Sequence, residues 1–244
     1  REWTMEFVSD GCLELTGYNP SDLVENHVIS FNDIIHADDQ ERIWNEVQQK
    51  IETRQPYVLE YRIRCADGKI KWVWEKAKGI FNADGQLIFI EGFVSDITEQ
   101  KNAELLKQVL FEISTASFTS ANLDDLFIRI HKIIGRIIDV ENFYVAMYDR
   151  EFDTISLPYQ VDSKDKFAKF PAGRTITGYV IKTGRPLLVT KSEIEELAAQ
   201  GHIEIIGTPS QVWLGVPLVV DDAVTGVLAV QSYTDSHRYT NREL

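Results

Sequence analysis

The sequence predicts an α+β chain of two domains, each a central antiparallel sheet with flanking helices, joined by a long helix. Three observations predict it. Residues 57–96 hold three strand-length runs punctuated by Asp67-Gly68 and Asp84-Gly85, a hairpin pattern. No Gly or Pro interrupts Phe93 to Ile134, and helix formers dominate the first half of that stretch. Strand-like runs return at Phe143–Tyr148, Thr154–Val161, Trp213–Val220 and Gly226–Ser232. A length of 244 residues suits two domains of ordinary size, and 44% hydrophobic against 26% charged residues is the balance of a folded chain rather than a disordered one. The expected division is a first domain over residues 1–98, a helical connector over 99–118 and a second domain over 119–244.

Taken in order, Thr4–Ser9 reads as a strand and Gly11–Thr16 as a short helix stopped at Gly17. Asn19-Pro20-Ser21 restarts a helix through Glu25, with proline in the first turn, where its missing N–H costs nothing. His36-Ala37-Asp38-Asp39 caps a longer helix, Gln40–Thr53, that buries Ile43, Val47 and Ile51. After Pro56, Tyr57, Leu59, Tyr61 and Ile63 alternate with Val58, Glu60, Arg62 and Arg64, a half-buried strand. Lys69–Phe81 and Gln86–Asp96 complete the series. The last run is apolar on both sides, with Leu87, Phe89 and Phe93 on one and Ile88, Ile90 and Val94 on the other, so both faces need cover. Trp72 and Trp74 share one face of the middle run.

In the connector, Ala103, Leu106, Leu110, Ile113 and Ser117 step by three and four residues, a seam suited to pairing with a second helix. Leu105, Val109 and Ala116 form another stripe beside it. Thr119–Asn122 offers an N-cap for a helix that buries Leu123, Phe127, Ile130, Ile134 and Ile137. Further on, Gly173–Leu187 reads as a capped two-turn helix stopped by glycine and leading into a strand. Ser192 caps a helix to Gln200, Asp221-Asp222 turns the last hairpin, and Tyr239–Leu244 begins a closing helix.

Several of these segments are familiar together. The run Phe7-Val8-Ser9-Asp10-Gly11-Cys12-Leu13-Glu14-Leu15-Thr16-Gly17-Tyr18, the His-x-Asp-Asp at 36–39, the Asp-Gly between long strands and the closing Asp96-Ile97-Thr98 resemble a PAS sensory domain over residues 1–98. The resemblance implies that Asp96, Ile97 and Thr98 join the last strand to a signal-output helix. It also implies a first strand ahead of Trp3, so the fragment reads as trimmed there. Residues 119–244 resemble a GAF domain, through Gly178-Tyr-Val-Ile-Lys-Thr-Gly-Arg-Pro186 and the pair Gly215-Val-Pro-Leu218 and Gly226-Val-Leu-Ala-Val230. That family ends in a helix beside its first one, which Tyr239–Leu244 begins and does not complete.

Charge and motifs exclude more than they assign. With 25 Lys+Arg against 38 Asp+Glu the net charge is −13, and the field disfavours nucleic acid and anionic membrane surfaces as partners. Residues 1–98 carry 10 basic and 18 acidic side chains and residues 99–244 carry 15 and 20, so neither half hides a basic patch. The longest apolar run, Trp213–Val220, is too short to span a bilayer. Two cysteines, Cys12 and Cys65, make no disulfide framework and point to a reducing, cytoplasmic setting. No phosphate loop, CxxC, HExxH or nucleophile triad occurs, so the fragment is not expected to be an enzyme. The histidines are scattered, no metal is expected, and His36 reads as a cap.

The resemblance allows cofactors to be weighed residue by residue. Asn26–Asp33 lacks the cysteine of flavin-binding light sensors, and Gln40–Thr53 lacks the histidine of haem-binding relatives. Residues 99–244 have no cysteine for a bilin or for sulfoxide reduction, and the signature of some cyclic-nucleotide GAF domains is missing too. No cofactor is expected. Trp44, Tyr61, Ile63 and Phe89 are the candidates to line a first-domain pocket, with simple core packing as the competing reading. Arg174 could meet an anion in the second, although a surface arginine before a helix is commoner.

The function implied is a sensory region of a bacterial signalling protein. It would detect a small-molecule or protein signal and pass it along the connector, as a homodimer paired through Ala103, Leu106, Leu110 and Ile113, to an output domain. A histidine kinase of a two-component system is the leading output and a diguanylate cyclase the alternative. A scaffold that binds protein and no ligand is a further reading.

Overall fold

The computed structural model describes residues 3–241 and Glu243. The chain forms two compact units that meet in sequence between Leu105 and Leu106.

The first unit opens with helices α1 (Gly11–Thr16), α2 (Pro20–Leu23), α3 (Phe31–Ile34) and α4 (Ala37–Glu52). Strands β1 (Tyr57–Arg64), β2 (Ile70–Phe81) and β3 (Leu87–Asp96) then form an antiparallel sheet in the order β1-β2-β3. Tyr57, Leu59, Tyr61 and Ile63 point into the core with Val73 and Ala77 of β2, and Ile43 and Val47 of α4 pack onto them. His36 is the N-cap of α4, its Nδ1 accepting the Asp38 N–H at 3.3 Å. Asp39 is buried and ties the start of α4 to β1: it accepts the Arg62 backbone N–H at 3.0 Å and the guanidinium at 2.9 and 3.1 Å.

Two features of this unit depart from the sequence reading. Thr4–Ser9 is not a strand; Met5 makes a single parallel bridge to Val24, whose turn is too short to carry a ladder. The added helix α3 is a one-turn element held by a reciprocal cap between Ser30 and Asp33, too short for apolar periodicity to show.

Helix α5 (Thr98–Thr119) leads out of the first unit and into the second. The second unit continues with α6 (Leu123–Ile134), β4 (Phe143–Asp149), β5 (Thr154–Val161), β6 (Lys169–Pro171), α7 (Ile176–Thr183), β7 (Leu187–Thr190), α8 (Lys191–Ala199), β8 (Val212–Val220) and β9 (Ala223–Ser232). The six strands form one antiparallel sheet in the order β6-β5-β4-β9-β8-β7. A core lies on each face. Phe143, Val145, Val212, Leu214 and Val230 meet Phe127 of α6, while Ala146, Ile155, Trp213, Val227 and Ala229 meet Val180 and Ile181 of α7 and Ile194 of α8. Helical cover on both faces explains why β8 and the middle of β9, Gly226 to Val230, are apolar on both sides.

Three expectations change here. Thr190, not Ser192, caps α8, because its backbone and hydroxyl both reach Glu193. Helix α6 ends at Ile134 with Gly135 as C-cap, so Ile137 is off its face. Tyr239 is buried and its hydroxyl donates to the Asp139 carbonyl at 3.0 Å, and Thr240, Asn241 and Glu243 are not helical. Arg242 and Leu244 of the expected closing helix lie outside the described residues.

Candidate functional site

The second unit encloses a cavity of about 110 Å³ on the α7 face of its sheet. Its floor is a buried polar chain. The Trp213 indole N–H donates to the Tyr144 hydroxyl at 3.1 Å, and that hydroxyl shares a hydrogen bond of 2.9 Å with Thr177. Burial pushes the Tyr144 phenol up to about 12, although the bonds to Thr177 and Trp213 pull the other way. The Trp213 ring can lie along β8 because Gly215, two residues on, has no side chain; a Cβ there would collide with the indole. Thr175 caps α7 beside the floor, its hydroxyl accepting the Gly178 N–H at 2.8 Å and donating to the Ala172 carbonyl at 2.9 Å. Gly178 in turn sits so close to that carbonyl that a Cβ would run into it.

Apolar walls rise from Leu157, Phe170, Ile194 and Ile203. The mouth is built by residues 162–167 and 203–209, neither of which belongs to a helix or strand. Asp165 clasps the two segments together by accepting the Thr208 N–H at 2.7 Å and the Thr208 hydroxyl at 3.1 Å. Asp162 anchors the first segment to the sheet, accepting from Gln231 at 2.7 Å and from the Tyr233 hydroxyl at 3.0 Å. Burial and the adjoining Asp162 carboxylate hold that tyrosine far above its ordinary range. Arg174, the residue singled out in this domain by its sequence, turns outward to an exposed pair with Glu204 and does not line the cavity.

In the first unit the four pocket candidates separate. Tyr61 and Ile63 are wholly buried in the core, and Trp44 is half-buried with its ring 5.0 Å from that of Trp3. Phe89 does not join them. It is 42% exposed, while Ile90 and Val94 of the same strand pack inward. With both faces of β3 apolar, alternation could not say which side faced the core. The polar feature missed by the sequence reading is Glu75, which points inward from β2 and accepts from Tyr57 at 3.0 Å and Tyr61 at 2.7 Å. Burial pushes its carboxyl up, and the two tyrosine bonds only partly offset that.

Asp96, Ile97 and Thr98 are latched to the middle of the sheet. The Thr98 hydroxyl accepts the Trp72 N–H at 2.9 Å, and the Ile97 N–H donates to the Trp72 carbonyl at 2.9 Å. Asp96 accepts the Thr98 N–H at 2.8 Å and pairs with Lys71 at 3.2 Å. Partial burial raises the Asp96 carboxyl, but the Thr98 bonds and the Lys71 charge outweigh it and leave the group below its usual range. One turn on, Lys101 pairs with Glu60 at 2.6 Å and lies over the Trp72 ring.

Farther along α5 the two stripes behave differently. Val109 and Ala116 are buried within the second unit, and Glu112 pairs with Arg136 at 2.6 Å. Ala103, Leu106 and Leu110 stay exposed, with Leu106 at 50% and Leu110 at 59%, and Ile113 is half-buried. Among the described residues no group of three His, Cys, Asp or Glu could hold a metal ion, and no helix is long and apolar enough to cross a membrane.

A three-stranded sheet backed by short helices, followed by a six-stranded sheet with helices on both faces and a cavity under α7, defines a class of paired sensory modules. Family models agree: the PAS fold matches residues 5–94 and the GAF domain residues 120–244. The chain belongs to the GAF domain family and carries a PAS fold ahead of that domain. Among curated proteins it is 31% identical over 127 residues to a methyl sulfide methyltransferase-associated sensor of Methanosarcina acetivorans, a match covering 52% of this chain and 12% of that one. It is 30% identical over 114 residues to a blue-light-activated histidine kinase of Brucella ovis, covering 44% of this chain and 22% of the relative. A solved sensory box histidine kinase/response regulator from Burkholderia thailandensis is 25% identical, with a TM-score of 0.38, over 43% of this chain and 78% of that one. The matched segments are thus under a quarter of either curated relative's length.

Proposed function

We propose that this PAS–GAF region is the sensory input of a cytoplasmic two-component histidine kinase. A small molecule held in the second-unit cavity, or a signal read by the first unit, alters packing at the sheets, and α5 carries the change toward the output domain. The observation that carries this reading is the latch at Thr98: helix α5 starts on hydrogen bonds to the central strand β2, where a shift of the sheet has to move it. The similarity to a histidine kinase and to a second sensor supports the choice of output. In this reading Asp96, Ile97 and Thr98 transmit the signal. Ala103, Leu106, Leu110 and Ile113 pair α5 with its copy in a homodimer, since the fold of one chain leaves most of that stripe uncovered. The acidic surface leaves nucleic acid and membrane outside its contacts.

Native mass spectrometry and sedimentation equilibrium of the chain, purified without denaturation, test both parts. The expected result is a dimer carrying a stoichiometric small molecule, converted by L106E/L110E to a monomer with the same circular-dichroism spectrum and a thermal midpoint that no longer depends on concentration. A chain monomeric at every concentration overturns the pairing, and a dimer free of any small molecule favours the protein-binding scaffold instead.

A further inference from the structure

We infer that the second-unit cavity is built for a small organic cation, an ammonium group carried on an apolar or aromatic body; this rests on the reading of the cavity as a sensory site. Three observations converge. The lining includes Trp213 in the floor, Phe170 in the wall and Phe167 at the mouth, aromatic rings of the kind that attract a cation as well as an apolar body. The lining includes three carboxylates, Asp162, Asp165 and Glu204, and no Lys, Arg or His. The charges of Asp162 and Asp165 are also not spent on cations: each takes its hydrogen bonds from neutral donors, namely Gln231, Tyr233, Thr208 and backbone amides. Glu204 is the exception, paired at the exposed rim with Arg174.

One feature pulls the other way. The start of α7 meets the floor, and a helix N-terminus carries about half a positive charge. Its cap hydroxyl already occupies the Gly178 N–H, and Lys164, which stands between the two carboxylates in sequence, holds its ammonium over the Tyr233 ring, so two carboxylates that form no ion pair outweigh the remaining partial charge. In a partly closed, low-dielectric cleft their field is focused rather than screened. An anion such as a phosphate or carboxylate would therefore be repelled, and a neutral ligand would gain only from the apolar walls. The volume of about 110 Å³ suits a ligand of one ring or a short branched chain.

Calorimetry and Trp213 fluorescence with three matched probes test the charge. These are phenethylammonium, its neutral counterpart 2-phenylethanol and the anion 3-phenylpropionate. The expected result is saturable phenethylammonium binding at least about tenfold tighter than that of the alcohol, with no binding of the propionate. Asp165→Asn should remove about tenfold of the ammonium affinity and leave the alcohol unchanged. Should Asp165→Asn loosen the mouth, Glu204→Gln, at an exposed position, is expected to cost a smaller, salt-sensitive part of the same affinity. Alcohol or propionate binding equal to or tighter than that of the ammonium overturns the cationic assignment and leaves a sensory cavity standing. No saturable binding of any probe, in a chain that native mass spectrometry shows to hold a different molecule, overturns it as well. An empty cavity by both measurements overturns the sensory reading itself.

Discussion

Replacing Thr98 by valine removes one hydroxyl from the latch and almost nothing else. The two side chains are nearly isosteric, and the Asp96 bond to the Thr98 N–H and the Lys101–Glu60 pair do not involve the lost atom. What disappears is the acceptor for the Trp72 N–H at 2.9 Å. A buried donor left without a partner costs about 1–3 kcal/mol, and the half-buried setting of Trp72 places this one in the lower half of that range. Since about 1.4 kcal/mol is tenfold in an equilibrium, local opening at Trp72 should become roughly 5- to 30-fold more frequent. Amide hydrogen exchange followed by NMR reads this directly, with the Ile63 amide of β1 as an internal reference. Faster exchange confined to Trp72, Ile97 and the first turn of α5 is expected. A change of less than about twofold at Trp72 in Thr98→Val would refute the claim that this hydroxyl holds the helix to the sheet.

Two further variants probe the buried polar groups. Tyr144→Phe leaves the Trp213 N–H, on a side chain only 2% exposed, without its acceptor, and equilibrium denaturation should show a loss of about 1–3 kcal/mol; an unchanged midpoint would mean that another acceptor takes over. Glu75 sets a pH dependence, because burial raises its folded-state carboxyl above the ordinary 4.5. Its contribution to stability is therefore complete below pH 4.5 and is lost as the pH climbs through the raised folded value. Across that interval the wild type should lose stability relative to Glu75→Gln in urea unfolding, and parallel profiles would dismiss the buried carboxyl as the cause. Asp39 works in the opposite sense. Burial pushes it up, but the Arg62 bonds bring it below 3.8, so its contribution is complete above that pH and fades as the pH falls.

What could be read in advance was whatever local chemistry decides alone. Alternation placed Tyr57, Leu59, Tyr61 and Ile63 on the buried face of β1, and the two Asp-Gly pairs fall at the turns on either side of β2. Thr175 and Gly184 bound α7 as a cap and a stop should. Legibility fails where a choice depends on distant partners. Phe89 and Ile90 are both apolar neighbours on one strand, and only the packing of α4 selects between their faces. Thr190 prevails over Ser192 because Glu193 stands three residues after it and closes a reciprocal cap, a signal in the sequence that the reading of Ser192 as the cap missed. The cavity residues come from β4, β5, β6, α7, α8, β8, β9 and two irregular segments, so no window of sequence contains them together. The nearest signal was the run Asp162-x-x-Asp165-x-Phe167-x-x-Phe170, polar and aromatic where neither strand nor helix is patterned.

The contact between Gly178 and the Ala172 carbonyl has a consequence for how such a protein can diverge. The floor of the cavity is fixed in main chain there, so a side chain at 178 cannot be used to reshape it without moving α7 itself. The mouth segments at 162–167 and 203–209 are restricted in this way at Gly207, whose left-handed backbone and closeness to Asp165 leave no room for a Cβ; their other positions are irregular, tied down by the clasp of Asp165 on Thr208 and by the bonds of Asp162 to Gln231 and Tyr233. Change of specificity is therefore cheapest at the rim, where a few exposed residues can be exchanged over an unaltered base. An engineer who wished this cavity to accept a new molecule would begin by rewriting those two segments and leave the strands and α7 as they are.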